Sequence, residues 1–334
     1  MKMQTVPFLR SPSSRAKFDV ECFSVSGDDV IEGRLIDMVT GAWYRIEDGI
    51  ADLTPIEYRD TARFEAFCKK HGFQNDTVSA ELTKPDLNVA KQLQFFSDYK
   101  DEYEVDVVES PFYDILYRVT VDRWLKHNIV NRAIVAEVGC GSGHQTLHML
   151  GRGCNVIGVD LSEDMLREAR RKTLGANFPG YADFVIGTAE SLPLADAVFD
   201  AALICGSLHH FSSPPAALLR VAKALKVAGK VYLLEPHKSP VRFIFDWTMR
   251  QWPLWQEEAN EDPLFQAHQF MAWLNAGGID CKIRYSTYLP PHLFYLFRGV
   301  VGDVILSGTD QIFGAMPGVR KFAGVLIAEG TKTG

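Results

Sequence analysis

Gly139, Gly141 and Gly143 stand at alternate positions in Ala133-Ile-Val-Ala-Glu-Val-Gly-Cys-Gly-Ser-Gly143. Glu137 lies two residues before the first of them, and Asp160 closes a second apolar run, Val156-Ile-Gly-Val-Asp160. Glycine adopts backbone angles closed to other residues and leaves room for a ligand to approach the main chain. An apolar run, a glycine turn and a second apolar run ending in a carboxylate predict strand, turn, helix and strand. A carboxylate at the end of that second strand can accept hydrogen bonds from both hydroxyls of a ribose. The chemistry open to these residues is to hold a nucleoside-containing cofactor.

Spacing and charge narrow the choice. A pyrophosphate site usually carries G-x-G-x-x-G at a helix N-terminus; this chain has G-x-G-x-G. A carboxylate at Glu137 would repel a pyrophosphate but attract an ammonium, directly or through a water. The pattern favours S-adenosylmethionine (SAM), which carries an ammonium and a sulfonium and no phosphate, over a nicotinamide dinucleotide.

Further segments point the same way. Val159-Asp-Leu-Ser-Glu-Asp-Met-Leu166, Gly187-Thr-Ala-Glu-Ser-Leu-Pro193, Phe199-Asp200 with Leu208-His-His210, and Leu225-Lys-Val-Ala-Gly-Lys-Val-Tyr-Leu-Leu-Glu-Pro236 follow in order. With the glycine turn they resemble the class I SAM-dependent methyltransferases, in the group of ubiquinone/menaquinone-type small-molecule enzymes. The resemblance covers residues 95–236 well and the remainder loosely. It implies a Rossmann-like α/β fold with helices on both faces of the sheet and SAM as cofactor. It places Glu137, Gly139, Cys140, Gly141, Gly143, Asp160, Leu161, Thr188, Ala189, Glu190 and Cys205 around that cofactor. Where the family carries an acidic residue at the start of the adenine loop, this chain has Thr188, which leaves adenine N6 to Thr188, Glu190 or water.

Methyl transfer from a sulfonium is an in-line displacement by a donor that is already activated. The protein's main tasks are alignment and exclusion of water. A hydroxyl, amine or ring-carbon acceptor can also need a base. His210 and His209, just after the fourth core strand, are the catalytic candidates, with His210 ahead, because an imidazole titrates near neutral pH. The competing reading is that they cap a turn or pack beside Phe211. Glu235 and His237 are second candidates, and Glu163 and Asp164 read as helix-end charge.

Composition bounds the rest. The 334 residues are 47% hydrophobic and 23% charged, in the range of a globular protein. The net charge of −7 and the absence of a run of five like charges disfavour a nucleic-acid partner. The six cysteines are scattered without a C-x-x-C pair, so no metal site or disulfide framework is legible. Met1 to Ser14 holds no signal-like apolar stretch, and no segment reaches the ~18 apolar residues of a membrane span. A cytoplasmic protein with reduced thiols is expected.

Three regions are expected. Residues 1–60 form a β extension whose segment Thr40-Gly-Ala-Trp-Tyr-Arg-Ile-Glu-Asp-Gly resembles a zinc ribbon without its cysteine pairs, preceded by a mobile polar stretch at 1–17. Residues 61–127 form a helical lid containing Tyr103 and Tyr113. Residues 128–334 form the SAM-binding core, with aromatic-rich 237–320 as a substrate cap. For that aromatic region a substrate cap, a homodimer face and a peripheral membrane contact compete, with the cap preferred. The expected activity is methylation of an oxygen or carbon of an apolar or aromatic small molecule. An RNA or protein methyltransferase docking through its N-terminal segment, and a non-catalytic SAM-fold binding subunit, are the alternatives.

Overall fold

The computed structural model of the chain describes residues 1–55, 58–73, 87–175, 177–255 and 264–334. An N-terminal antiparallel meander comprises β1 (Phe18–Ser26), β2 (Asp29–Asp37), β3 (Trp43–Glu47) and β4 (Ile50–Asp52). Four helices follow: α1 (Thr61–His71), α2 (Leu87–Tyr103), α3 (Pro111–Tyr117) and α4 (Arg123–Asn128). The alternating core then runs β5 (Ile134–Val138), α5 (His144–Gly151), β6 (Asn155–Asp160), α6 (Glu163–Thr173), β7 (Ala182–Ile186), β8 (Phe199–Cys205), α7 (Pro214–Ala224) and β9 (Leu225–Pro236). The last part holds α8 (Arg242–Gln251), α9 (Ala267–Ala276), β10 (Ile279–Ser286), α10 (Leu293–Leu296), α11 (Gly299–Gly314) and β11 (Val325–Lys332). The part of the expected lid at 74–86 lies outside the described residues.

The eleven strands among the described residues join one sheet in the order β1-β2-β3-β4-β7-β6-β5-β8-β9-β11-β10. Pairing is parallel from β4 through β7, β6, β5 and β8 to β9, and antiparallel in both flanks. From β5 the chain moves outward first through β6 and β7, then back to β8 and β9 on the other side. The strand order therefore reverses at β5, where an open α/β sheet leaves a crevice beyond its strand ends.

The strand period of two divides the core between the faces. Ala136, Val138, Ile157, Val159, Ala202 and Ile204 point to one side, where α7 and α9 supply Leu218, Val221, Phe270 and Leu274. Val135, Val156, Ala201, Leu203, Tyr232 and Leu234 point to the other, against Leu116 and Trp124 of the lid, Met149 of α5 and Leu306 of α11.

Residues 1–17 are ordered, contrary to the mobile stretch expected from their polar composition. A 3₁₀ turn at Met3–Phe8 buries Thr5 and Val6, and Leu9 pairs with Leu194. The Thr5 hydroxyl donates to the buried Asp183, and Arg15 reaches the Leu192 carbonyl at 2.7 Å. Serine- and proline-rich composition conceals this, because the inward-facing minority of residues decides the packing.

Glu163 and Asp164 also do more than charge a helix end. Ser162 caps α6 by accepting from the Met165 N–H, and both carboxylates sit in the first turn as anticipated. Yet buried Arg45 of β3 reaches Glu163 at 2.5 Å while also pairing with Glu47 and Asp52. Arg63 of α1 meets Glu163 at 3.1 Å and Asp164 at 2.9 Å. The N-terminal module is thus clamped to the helix that leaves the Asp160 strand. No described helix is long and apolar enough to cross a membrane.

Candidate active site

The glycine turn between β5 and α5 is fixed by backbone bonds, since the Gly139 N–H donates to the Val159 carbonyl at 2.7 Å. Its three glycines all have positive φ, but each for a different spatial reason. A Cβ on Gly139 would overlap the Ser207 side chain, and one on Gly143 would press on Ala169 at 3.0 Å. Only a Cβ on Gly141 would project into the cavity, 3.7 Å from Met165 and 3.8 Å from the Tyr103 hydroxyl. Close approach to a ligand is therefore Gly141's role, while Gly139 and Gly143 serve the packing of the turn.

Asp160 lies across the turn. Its carboxylate accepts from the Gly141 N–H at 2.8 Å and the Ser162 N–H at 2.9 Å, one on each oxygen. Burial pushes its pKa up, opposed by these backbone donors. Each oxygen keeps a further lone pair for a ligand hydroxyl. Leu161, Thr188, Ala189 and Glu190 line the same cavity with Cys140 and Cys205. The Thr188 hydroxyl accepts from the Ser191 N–H, and Glu190 accepts from the Ser213 N–H at 3.1 Å. Burial pushes the thiols of Cys140 and Cys205 well up, so both are neutral wall groups.

Glu137 and Gly143 do not line this cavity. Glu137 is buried beneath the turn, accepts from the Thr146 hydroxyl, and is pushed up to about 8 by that burial. Two carboxylate oxygens cannot leave water cheaply, so the side chain turned inward prefers its neutral form.

A second cavity of about 850 Å³ adjoins the first. Phe96, Tyr103, Val107, Tyr117, Cys205, Gly206 and His210 border both. Its other walls are largely aromatic and apolar, including Phe95, Tyr99, Phe112, Tyr113, Phe245, Met249 and Trp255, with Arg242, Asp246 and Arg250 among them. His209 and Glu235 stand at its inner end. Glu235 is fully buried at the end of β9, and one oxygen accepts from the Ser207 and Leu208 N–H groups at 2.9 and 2.7 Å. Its other oxygen lies 2.7 Å from His209 Nδ1. Glu235 thus fixes both the loop after β8 and the His209 ring.

His210 lies at the junction, its ring 5.1 Å from Phe96 and nearly perpendicular to it. The Glu235 carboxylate contact falls on His209, while the favoured His210 borders both cavities. His237 faces away from both cavities, bonded to the Ala323 carbonyl at 2.8 Å, with its pKa lowered by burial.

Several lining residues were missed from sequence. Gln92 and Phe96 of α2 line the cofactor cavity beside Tyr103, which the expected lid already held, and Tyr99 lines the second; their spacing puts them on one helix stripe, the signal available in advance. Lys172, at the end of α6, binds Glu104 at 2.6 Å and the Ser142 carbonyl at 3.2 Å. It ties the lid's π-helical turn at Glu104–Val108 to the glycine turn. His144, the first residue of α5, lines the cofactor cavity. Its buried Nε2 has no hydrogen-bond partner, and burial lowers its pKa to about 4.

Residues 136–233 match the family described as a methyltransferase domain. They form a class I SAM-dependent methyltransferase domain. SAM is the cofactor of such a domain, and the cavity suits it. Asp160 offers two acceptor oxygens, Gly141 bares the backbone, and the unsatisfied His144 Nε2 supplies a further polar contact. The chain is 32% identical over 113 residues to a demethylmenaquinone methyltransferase of Symbiobacterium thermophilum, covering 33% of this chain and 45% of that protein. It is 27% identical over 163 residues to a ubiquinone biosynthesis O-methyltransferase of Hahella chejuensis, covering 47% and 67%. The chain thus spans about half the length of the curated relatives it matches. A chain from the solved complex of the Haloferax volcanii Trm112 methyltransferase activator with a methyltransferase shares the fold at a TM-score of 0.50. It is 14% identical, and the match covers 71% of this chain and 97% of that one.

Proposed function

We propose that the protein transfers a methyl group from SAM to an oxygen or ring carbon of a bulky apolar or aromatic small molecule. The observation that carries this is the aromatic cavity of about 850 Å³ meeting the cofactor cavity at Cys205, Gly206 and His210. An acceptor seated there presents its reactive atom at the junction, with its apolar body against the aromatic walls.

When bound, SAM supplies a methyl group already activated on a sulfonium. Asp160 and the Gly141 backbone hold the nucleoside, and Glu190 and Thr188 border its base. Tyr103 and Phe96 close the junction and keep water out, which favours displacement over solvation of the acceptor. The 2.7 Å contact between Glu235 and His209 Nδ1 orients a proton on Nδ1, leaving Nε2 as the accepting atom. Nε2 of His209 then takes the proton of an acceptor hydroxyl, or of a ring carbon after its alkylation. His210 borders the acceptor at the junction.

We assign residues 61–127 as the lid and 237–320 as the acceptor cap over the core at 128–334. Residues 1–60 are a metal-free, ribbon-like brace. The names of the quinone methyltransferases among the relatives support an aromatic acceptor.

The test is methyl-labelled SAM offered with hydroxylated aromatic compounds, bulk RNA and a protein mixture in parallel. Label in an organic-extractable product is expected. Label confined to RNA or protein would overturn the small-molecule reading, and no transfer to any acceptor with SAM still bound would favour a non-catalytic subunit.

A further inference from the structure

Helix α8 is apolar on two faces. Phe245 and Met249, with Arg242, Asp246 and Arg250, line the aromatic cavity. On the opposite side Phe243, Ile244 and Trp247 meet solvent, at 67%, 42% and 56% exposure, and Trp252 follows just beyond the helix. A helix that keeps large aromatics in water has a face without its partner. The patch extends past α8. The Trp252 carbonyl bonds His292 Nε2 at 2.6 Å, which joins the end of α8 to α10 and α11. There Leu296, Val300, Val301 and Val304 are exposed, while Gly302 and Leu306 face the interior.

Among the described residues, the charges on this face leave one sign over. Asp246 pairs with Arg242, Asp303 with Arg118, and Asp310 binds Ser286 and Thr287. Arg298, Arg320 and Lys321 are exposed, and no carboxylate among the described residues pairs with any of them. This stands out on a chain of net charge −7.

We propose that the outer face of α8, α10 and α11 docks on an anionic lipid surface. Exposed tryptophans, short aliphatics and a cationic fringe suit the boundary between headgroups and acyl chains. Unpaired arginines and lysines are drawn to anionic headgroups. A second copy of the chain fits less well. A two-fold interface sets the same patch against itself, so the described cations would meet cations. Docking places the wall of the acceptor cavity on the lipid, which shortens the path of an apolar acceptor into that cavity; this use rests on the apolar-acceptor reading, whereas the docking does not.

The full chain should be sedimented with vesicles of phosphatidylcholine plus phosphatidylglycerol, and with phosphatidylcholine alone, while tryptophan emission is followed. Binding to the anionic vesicles is expected, with a blue-shifted emission and release by high salt. Trp247→Ser with Val304→Ser should weaken partitioning by about tenfold or more, and Arg298→Gln with Arg320→Gln should weaken it on anionic vesicles only. All these side chains lie outside both cavities, so SAM affinity, measured by calorimetry on the same preparations, should not change. Intact SAM binding without vesicle binding would overturn the docking surface alone. Equal partitioning of wild type and the Trp247→Ser, Val304→Ser protein would do the same, as would a lipid-free dimer that this variant dissolves.

Discussion

The two cavities that meet at Cys205 and Gly206 are built from different material. The cofactor side is made by the main chain at strand ends. The Gly139 and Gly141 N–H groups and the Asp160 carboxylate are locked together by bonds of 2.7–2.8 Å within two neighbouring strands. The acceptor side is made by side chains from α2, α3, α8 and the ends of β8 and β9, which are far apart in the sequence. Backbone geometry admits few solutions, whereas a wall of aromatic rings can be rebuilt in many ways without disturbing the sheet. The first region therefore fixes what is bound, and the second can diverge in what is methylated.

Breaking the acceptor side at its most ordered point should have the largest effect. Glu235→Gln keeps an oxygen for the Ser207 and Leu208 N–H groups but offers His209 Nδ1 a donor, forcing the proton onto Nε2. Turnover should fall about 10²–10⁴-fold, with SAM affinity unchanged in a titration and His209→Ala behaving alike. Turnover near wild type in both would return His209 to a structural role.

The N-terminal brace bears on the other side. Arg45→Met leaves the buried Asp52 without its ion-pair partner, while Glu163 keeps Arg63 and Arg167, and should cost about 3–5 kcal/mol, read by urea unfolding. A loss well below 1 kcal/mol would show that the clamp is idle. Asp160→Ala should weaken SAM binding by about 1.5–3 kcal/mol; calorimetry showing wild-type affinity would remove Asp160 from the site.

The smallest effect concerns pH. Folded Glu137 titrates at about 8 against an ordinary value of 4.5. Between those values the unfolded chain has lost a proton that the folded chain keeps, so stability falls as pH rises through that window. Glu137→Gln should flatten this slope, so that the melting temperature of the variant gains on wild type as pH rises from 5 to 8. A slope identical in both proteins would mean that Glu137 is already ionised in the fold.

The same division governs what could be foreseen. The core strands and several residues now lining the first cavity were legible because short contiguous motifs carry them: β5 with its glycines, β6 with Asp160, and the loop at Thr188–Glu190. Class I fold and cofactor followed from those segments. What failed to show was anything joining distant segments. The His209–Glu235 bond spans 26 positions, and the Arg45–Glu163 pair spans 118. Glu137 was legible as a carboxylate at the right place, but not that it would turn under the turn toward Thr146. Residues 1–17 looked loose because their few inward side chains have no periodicity.

The position of the N-terminal strands has a consequence for how the molecule assembles. β4 lies beside β7, and Thr5 bonds Asp183 across 178 positions of chain. The meander can form its own hairpins early, but its seat in the sheet does not exist until β7 has been synthesised and ordered. Pairings of such long sequence separation close slowly, and the waiting edge is a place where a growing chain can misassociate. The brace that holds the finished cofactor site is thus an early part of the chain to be made and a late one to be seated.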